Sequence, residues 1–384
     1  MLILHFSKTP LAGAPIRIVR AINKYSNFNA RLIELSINPH FDSDLIAGQH
    51  FEEIQDLICN ADIVHLHNYL HLDSTDFEGV NFRTLKKNGV KIIRQFHSHP
   101  SIISRFSGEK LIDIQKNEIP SLVISQFQER YYPKARVVRN IPGVEPEFNS
   151  GVGVSFSPSN KTHAWNDRWN TKGYHDVKKI LQELQTSKNL IFDISQNLRH
   201  SLILENKKKS KICIDDVITG SFHLSSLESM AYGKPVINMI DFRMEKVLKN
   251  LYGGTHPFLN VPLHRLRDFL LTNIDNDFHN ESLLTYNWYV KYWQDKNAIE
   301  DYVSCYTHLI NNSPITRQEP LTCTDDDILK SDTQYKLLKK TYLCNLSLRE
   351  KASLYIKIPL KDIMLRLRFK VLSTILQITK LKKV

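Results

Sequence analysis

The fold class predicted by this sequence is α/β, built as two similar halves in tandem with a cleft between two parallel sheets, and three observations predict it. Over 2–139, short apolar runs alternate with amphipathic stretches of helical period, the pattern of repeated strand–helix–strand units. A Pro/Gly-rich segment, Ile141-Pro142-Gly143-Val144-Glu145-Pro146, interrupts the series, and a second alternating series runs over 152–240. The length of 384 residues, at 42% hydrophobic and 24% charged, is ordinary for a globular chain and sufficient for two cores. Collagen-like, low-complexity and disulfide-scaffold classes are excluded on the same grounds.

In the first series 2–6 reads as a strand, 10–15 as a turn and 16–25 as a helix, because Ile18, Val19 and Ile22 recur at helical spacing. Strands follow at 30–35, 62–66, 90–95, 122–125 and 136–139, with helices at 52–59 and 82–87. The second series reads as strand 152–157, helix 174–184, strand 190–193, helix 197–205, strand 211–214, helix 226–232 and strand 235–240. Residues 260–310 look helical, with Trp288, Tyr289, Tyr292 and Trp293 clustered, and a polar stretch containing proline opens at 311. The expected division is an N-terminal domain over 1–143, a C-terminal domain with closing helices over 144–310, a linker over 311–330 and a tail over 331–384. Ligands of such paired sheets bind beyond the carboxyl ends of the strands.

The formal charge of +11 is spread unevenly. Residues 331–384 hold 13 Lys/Arg and 3 Asp/Glu, a net of +10, which leaves 38 basic against 37 acidic residues in 1–330. In the tail Met364, Leu367, Val371, Ile375, Ile378 and Leu381 follow steps of three and four, and Leu365, Phe369, Leu372 and Leu376 widen the apolar face. With Lys361, Arg366, Arg368 and Lys370 interleaved, this suits a helix lying on an anionic membrane surface; packing on the body or on a partner chain is the alternative. Aliphatic interleaving and few stacking aromatics argue against nucleic acid as a partner. The longest apolar runs fall short of the roughly 18 residues a spanning helix needs. Five cysteines without a CxxC pair fit a reducing cytoplasm, and the opening MLILHFSKTP reads as a first strand and not as a signal peptide. The expected location is therefore cytoplasmic, with peripheral attachment to the inner face of the membrane.

The segment with the most local information is Asp215-Asp216-Val217-Ile218-Thr219-Gly220-Ser221-Phe222-His223-Leu224-Ser225-Ser226-Leu227-Glu228-Ser229-Met230-Ala231-Tyr232-Gly233-Lys234-Pro235-Val236-Ile237. It reads as a turn feeding a short helix that Gly233 ends, with a strand that Pro235 begins. Ser225 and Glu228, three apart, form a candidate capping box. Beyond a well-capped helix, the small-residue loop can offer N–H groups to a phosphate, and Glu228 can accept from a ribose diol. The run resembles the donor-binding motif of retaining glycosyltransferases of the GT-B fold, in the family-4 group, where a Gly-x-aromatic loop leads into Leu-Glu-Ala-Met-Ala-x-Gly-Lys-Pro-Val-Ile. Ser229 replaces the usual Ala. The family commonly carries two Glu residues eight positions apart, and the first falls here on Gly220.

The resemblance extends over about residues 1–310 and implies a set of site residues. Gly13 and Ala14, between the first strand and helix, would face the donor diphosphate, and Gly220, Phe222, His223, Leu224, Ser225 and Glu228 would form the donor loop, with Glu228 on the ribose. His97 would lie near the reacting sugar, with His99 as the alternative. Lys172, next to Gly173, would neutralise the diphosphate together with Arg168 or Lys161; a cation held there stabilises the departing nucleotide more than the bound ground state. His65 and His67, two apart at a strand end, could suggest a metal, but no third ligand of zinc spacing accompanies them in sequence, and the family needs none for donor binding. No cofactor and no metal are expected.

Asp275-Asn276-Asp277 could be taken for the Asp-x-Asp metal motif of single-domain GT-A enzymes, but it lies late and between helical stretches, so helix capping is expected there. Asp325-Asp326-Asp327 reads as a solvated run in the linker. The resemblance implies a glycosyltransferase that takes a sugar from a nucleotide-sugar to a glycan or lipid-linked acceptor, as in assembly of bacterial surface polysaccharide or lipopolysaccharide. The alternative is a catalytically impaired GT-B-fold protein serving as a nucleotide-binding or membrane-surface scaffold.

Overall fold

The computed structural model describes residues 1–116, 118–158, 172–196 and 198–344. Seven strands form the first sheet: β1 (Leu2–Ser7), β2 (Asn29–Glu34), β3 (Leu45–Ile46), β4 (Ile63–His67), β5 (Lys91–Phe96), β6 (Ser121–Ile124) and β7 (Arg136–Val138). The second holds β8 (Val154–Phe156), β9 (Phe192–Ile194), β10 (Ile212–Ile214), β11 (Val236–Asn238) and β12 (Leu259–Asn260). The spatial orders are 3-2-1-4-5-6-7 and 12-11-10-8-9, and all pairings are parallel. Strand order reverses between β1 and β4 in one sheet and between β8 and β10 in the other, the switch points where open α/β sheets hold ligands. Every residue of β4 is buried, as expected of a central parallel strand covered by helices on both faces.

The expected strands and helices form, with shifted ends. The first strand of the second sheet starts only at Val154, because Gly153 turns at φ +73°. A Cβ at Gly153 would come within 2.3 Å of the Ile191 carbonyl. Sequence reading passed over β3 and β12, two residues each and too short to show a period, and the helices Pro100–Ser107 and Leu111–Lys116. The linker expected over 311–330 is shorter than that: a helix, Asp325–Cys344, begins inside it. Its start is a reciprocal cap in which the Asp327 carboxylate accepts from the Thr324 N–H at 3.1 Å and the Asp327 N–H donates to the Thr324 hydroxyl at 3.1 Å. The acidic run at 325–327 is thus the first turn of a helix and not a loop, a favourable place for negative charge. Asp275 and Asp277 do not cap the next helix either. The residue at that helix's N-terminus is Phe278, at φ 51°, with no side-chain bond. Residues 345–384, which carry most of the basic tail, lie outside the described residues.

The helix Glu300–Ile310 returns from the second domain to the first. Its Tyr302, Cys305, Tyr306 and Leu309 join Ile3, Ile18, Ile63 and Ile93 in the core under the first sheet. A separate core spans both domains, bringing Phe96, Val123 and Val137 against Met230, Leu248 and Trp293.

Buried charge joins the two domains on one side. Glu129, in the 3-10 turn Phe127–Tyr131 after β6, is fully buried and accepts from Arg243 Nε at 2.6 Å and Nη2 at 2.8 Å, and also from Arg317. Beside it Arg130 donates to Asp241 at 2.7 and 3.2 Å, and Asp241 also caps the helix Phe242–Tyr252 that carries Arg243. Removing one partner of such a group leaves an uncompensated charge away from water. Glu129→Ala is therefore expected to cost about 3–5 kcal/mol in urea unfolding. A loss under about 0.5 kcal/mol, the size of an ordinary surface change, would show that the pair does not hold the domains.

Candidate functional site

Glu228 sits in the helix Leu224–Ala231, which follows the loop after β10. The helix begins at Leu224 with His223 at its N-terminus, so Ser225 lies inside the first turn and the expected capping box does not form. The Ser225 carbonyl instead accepts from Lys207 Nζ at 3.0 Å and from the Ser229 hydroxyl at 2.9 Å. The Glu228 carboxylate turns away from the helix end toward two cations and a histidine. Arg17 Nη2 donates to Oε1 at 3.1 Å, His200 Nε2 to the same oxygen at 2.8 Å, and Lys207 to Oε2. Burial works to raise its pKa, but Lys207, His200 and Arg17 outweigh it and hold the carboxyl well below the usual carboxylate range.

Arg17 comes from the other domain, in the first turns of the helix Ala14–Tyr25, and its Nη1 is buried without a hydrogen-bond partner. Gly13 precedes that helix at φ +78° and no side chain caps its end. A Cβ at Gly13 would approach Phe41 to 2.8 Å, so the bare backbone is required there. Ala14, the first helical residue, is buried. A cavity of about 470 Å³ opens here between the domains, lined by Gly13, Arg17, Arg20, Phe41, Arg199 and His200 among others. That volume falls in the range of small-molecule sites.

The loop from β10 to the helix is organised by two buried aspartates. Asp215 accepts from Lys172 Nζ, from the His223 N–H at 2.9 Å and from the Ser226 hydroxyl at 2.5 Å. Although burial opposes it, the Lys172 ammonium leads the groups that hold the Asp215 carboxyl down to about 2. Asp216 accepts from the N–H groups of Ile218 and Thr219, each at 2.9 Å, and meets His223 Nε2 at 2.8 Å. Lys172 therefore lies at the switch point of the second sheet, tied to the loop after β10 through Asp215 and to the Ser157 carbonyl at 3.2 Å. Lys161 and Arg168 lie outside the described residues. The Phe222 side chain is fully buried against Phe258 and Trp293, so only its backbone is left to meet a ligand. Leu224 and Ser225 open the helix, and Gly220, at φ +85°, leaves no room for a carboxylate: a Cβ there would lie 2.8 Å from Asp241 Cβ.

His97 follows β5 and bonds through Nε2 to His67 Nδ1 at 3.1 Å, while the Asn68 side chain accepts from its backbone N–H at 3.0 Å. His99 has a different role, since its Nδ1 accepts from the Ser101 N–H at 3.2 Å and starts the helix Pro100–Ser107. A third imidazole does reach His65 and His67. It is His5, 60 residues away in sequence, placed opposite His65 by the pairing of β1 with β4. The ligand atoms of the three lie within 4.8 Å of one another. The His65–His67 and His5–His67 rings, however, are stacked at interplanar angles of 9° and 25°, and His5 is tilted by only 30° from His65. In-plane lone pairs of near-parallel rings do not converge on one point, which a tetrahedral metal requires. The closest pair, His5 Nδ1 and His67 Nε2 at 3.0 Å, already shares a hydrogen bond.

Sequence reading missed Arg17, His200, Lys207 and Asp215, which complete this site. Each lies on a different element from the partner it serves, and the one local signal was the Asp215-Asp216 pair immediately before the recognised loop.

Two Rossmann-like domains, each built on a parallel sheet and facing a common cleft, make up the GT-B architecture. Among solved structures the chain is similar in fold to sucrose-phosphate synthase from Thermosynechococcus elongatus, with a TM-score of 0.51, 11% identity, and coverage of 82% of this chain and 100% of that one. It is likewise similar to Anabaena HepE in complex with UDP-glucose, with a TM-score of 0.51, 12% identity, and coverage of 80% and 99%. No protein-family model and no curated protein matches the chain.

The low Asp215 pKa sets a sign for acid stability. A carboxyl depressed in the folded state contributes fully above its unfolded value near 4 and loses that contribution as pH falls through about 2. The loss is on the order of 2 kcal/mol. In urea midpoints between pH 5 and pH 2, Asp215→Asn should lose that much less stability than the wild type; equal slopes would contradict the assignment.

Proposed function

We propose that this chain is a glycosyltransferase that moves a sugar, with retention, from a nucleotide-sugar to a glycan or lipid-linked acceptor in the cleft between its two sheets. The observation that carries the reading is the arrangement at Glu228. A buried carboxylate at the donor helix is held by Arg17, whose remaining Nη1 is buried, unpartnered and beside an open cavity. A desolvated guanidinium N–H costs stability until an acceptor meets it. A nucleoside diphosphate supplies both needs: ribose hydroxyls for Glu228, in place of Arg17 and His200, and phosphate oxygens for the freed guanidinium. The uncapped starts of the helices at Ala14 and Leu224 add N–H groups for the same anion. Lys172, with Arg168 or Lys161, stabilises the charge that develops on the leaving nucleotide. The fold neighbours support the substrate class, since one is described in complex with UDP-glucose.

The impaired-scaffold reading is favoured by Gly220 alone, where the family's first carboxylate is absent and has no space. Donor turnover separates the two. Nucleoside diphosphates at 100 times their Kd should stabilise the protein by about 2.7 kcal/mol, and a nucleotide-sugar panel should show slow donor hydrolysis. Binding without hydrolysis of any donor would favour a nucleotide-binding scaffold; no binding at all would leave only a membrane-surface scaffold. Glu228→Gln should weaken nucleotide binding about tenfold or more, the worth of a charge-assisted hydrogen bond.

Transfer is proposed to need no metal, so excess EDTA should leave the rate unchanged; a loss restored by a divalent cation would refute this. The tail is proposed to place the enzyme on an anionic membrane at the inner face, next to lipid-linked surface-polysaccharide intermediates. Among the described residues no helix is long and apolar enough to cross a membrane. Ending the chain after 344 should abolish sedimentation with phosphatidylglycerol vesicles; unchanged binding would make the tail a packing element.

A further inference from the structure

Four histidines and Tyr306 form a hydrogen-bonded line through the first domain, Tyr302 and Gln95 stand at its inner end, and its chemistry has a direction. It starts at a group that can only accept, the Arg139 carbonyl, which takes the Tyr302 hydroxyl proton at 2.9 Å. With that proton committed, Tyr302 can only accept from Gln95, so the Gln95 amide nitrogen faces it, at 2.9 Å. Gln95 Oε1 is left as a buried acceptor, and His65 Nε2 is likewise buried without a hydrogen-bond partner. Since Oε1 can only accept, a proton on His65 Nε2 is the tautomer that does not leave two bare buried acceptors side by side, and the Gln95 side chain is among the groups that favour a proton on His65.

Burial keeps the imidazoles neutral: it lowers His5 and His97 to about 3 and is the leading cause that sets His65 and His67 well below 6.5. A neutral imidazole has one donor and one acceptor, so fixing one nitrogen fixes the other. His65, protonated at Nε2, accepts at Nδ1 from the Tyr306 hydroxyl, 2.7 Å away, a length suited to an O–H donor. Tyr306 Oη then accepts from His5 Nε2 at 3.4 Å, His5 Nδ1 from His67 Nε2 at 3.0 Å, and His67 Nδ1 from His97 Nε2 at 3.1 Å. Each step leaves the next ring one choice.

We propose that Tyr306, directed by Tyr302 and Gln95, is a positioning residue that fixes His97 as its Nε2–H tautomer, so that His97 offers the cleft a bare Nδ1 able to accept a hydrogen bond from a hydroxyl of the transferred sugar. The tautomer rests on the line alone; the sugar hydroxyl rests on the glycosyltransferase reading. His97 is partly exposed at the carboxyl end of β5, on the side where Arg17 and Phe127 meet the second domain. Tyr306 rides on the helix Glu300–Ile310, so a residue more than 200 positions away decides the protonation of one in the N-terminal domain.

The test uses the full chain labelled with 15N-histidine, without nucleotide, and long-range 1H–15N correlation spectra in which His97 is assigned by its loss in His97→Gln. The wild type should show His97 protonated at Nε2 and bare at Nδ1. Tyr306→Phe keeps the packing but cuts the line between His65 and His5, so the two His97 nitrogen resonances should move toward each other as tautomers mix. A purely structural role for Tyr306 would lower the thermal midpoint and leave those resonances in place. An Nδ1–H in the wild type, or an unmoved pair in Tyr306→Phe, overturns the proposal. If Tyr306→Phe fails to fold, Tyr302→Phe removes the anchor instead and should give the same mixing. An enzyme with no transfer activity would remove the sugar reading while leaving the tautomer result standing.

Discussion

The Glu129 carboxylate, without exposure to water and shared between Arg243 and Arg317, is the contact on which the relation of the two sheets depends. With Arg130 and Asp241 beside it, it forms a join whose charges are all satisfied by the protein itself. The cleft's other contact is of a different kind. There Arg17 reaches Glu228, but one guanidinium nitrogen is left over and the neighbouring space is open. One side is therefore held by groups that gain nothing from a ligand. The other is held by groups that a nucleoside diphosphate could satisfy better than they satisfy each other.

Much of the fold was legible because parallel strands flanked by helices leave a period in the sequence, and both sheets follow it. Short edge strands such as Leu45–Ile46 left no period to read. At the site, the segment around Glu228 announced itself by local turn chemistry, yet its capping box was misassigned. Ser225 and Glu228 have the right spacing, but Arg17, Lys207 and His200, brought by tertiary structure, outcompete a backbone N–H for the carboxylate. Charge pairs such as Lys172–Asp215 and Arg17–Glu228 were illegible for the same reason, since nothing local specifies which distant cation will meet which acid. The third histidine illustrates the gap well. Spacing along the chain showed His65 and His67, and only sheet register could add His5.

That trio also shows why proximity is a weak guide to chemistry. Within a few ångströms the same nitrogens could hold an ion or pass hydrogen bonds, and the ring planes decide between them. Neutral imidazoles in a core are costly unless each finds its partner, and here His65 meets Tyr306, His5 meets His67, and His67 meets His97.

The return of the helix Glu300–Ile310 has a consequence for synthesis. The first domain's core includes Ala298, Ile299, Tyr302, Cys305 and Tyr306, so it stays unfinished until the second domain has been made. At ribosomal speeds of about 5–20 residues per second, the gap between the end of the first sheet and those residues lasts on the order of ten to thirty seconds. Through that interval the nascent chain carries an open apolar face, a substrate for holding chaperones. The same dependence makes the first half a poor candidate for exchange between proteins by recombination at the Pro/Gly segment, because it would not inherit the whole of its own core.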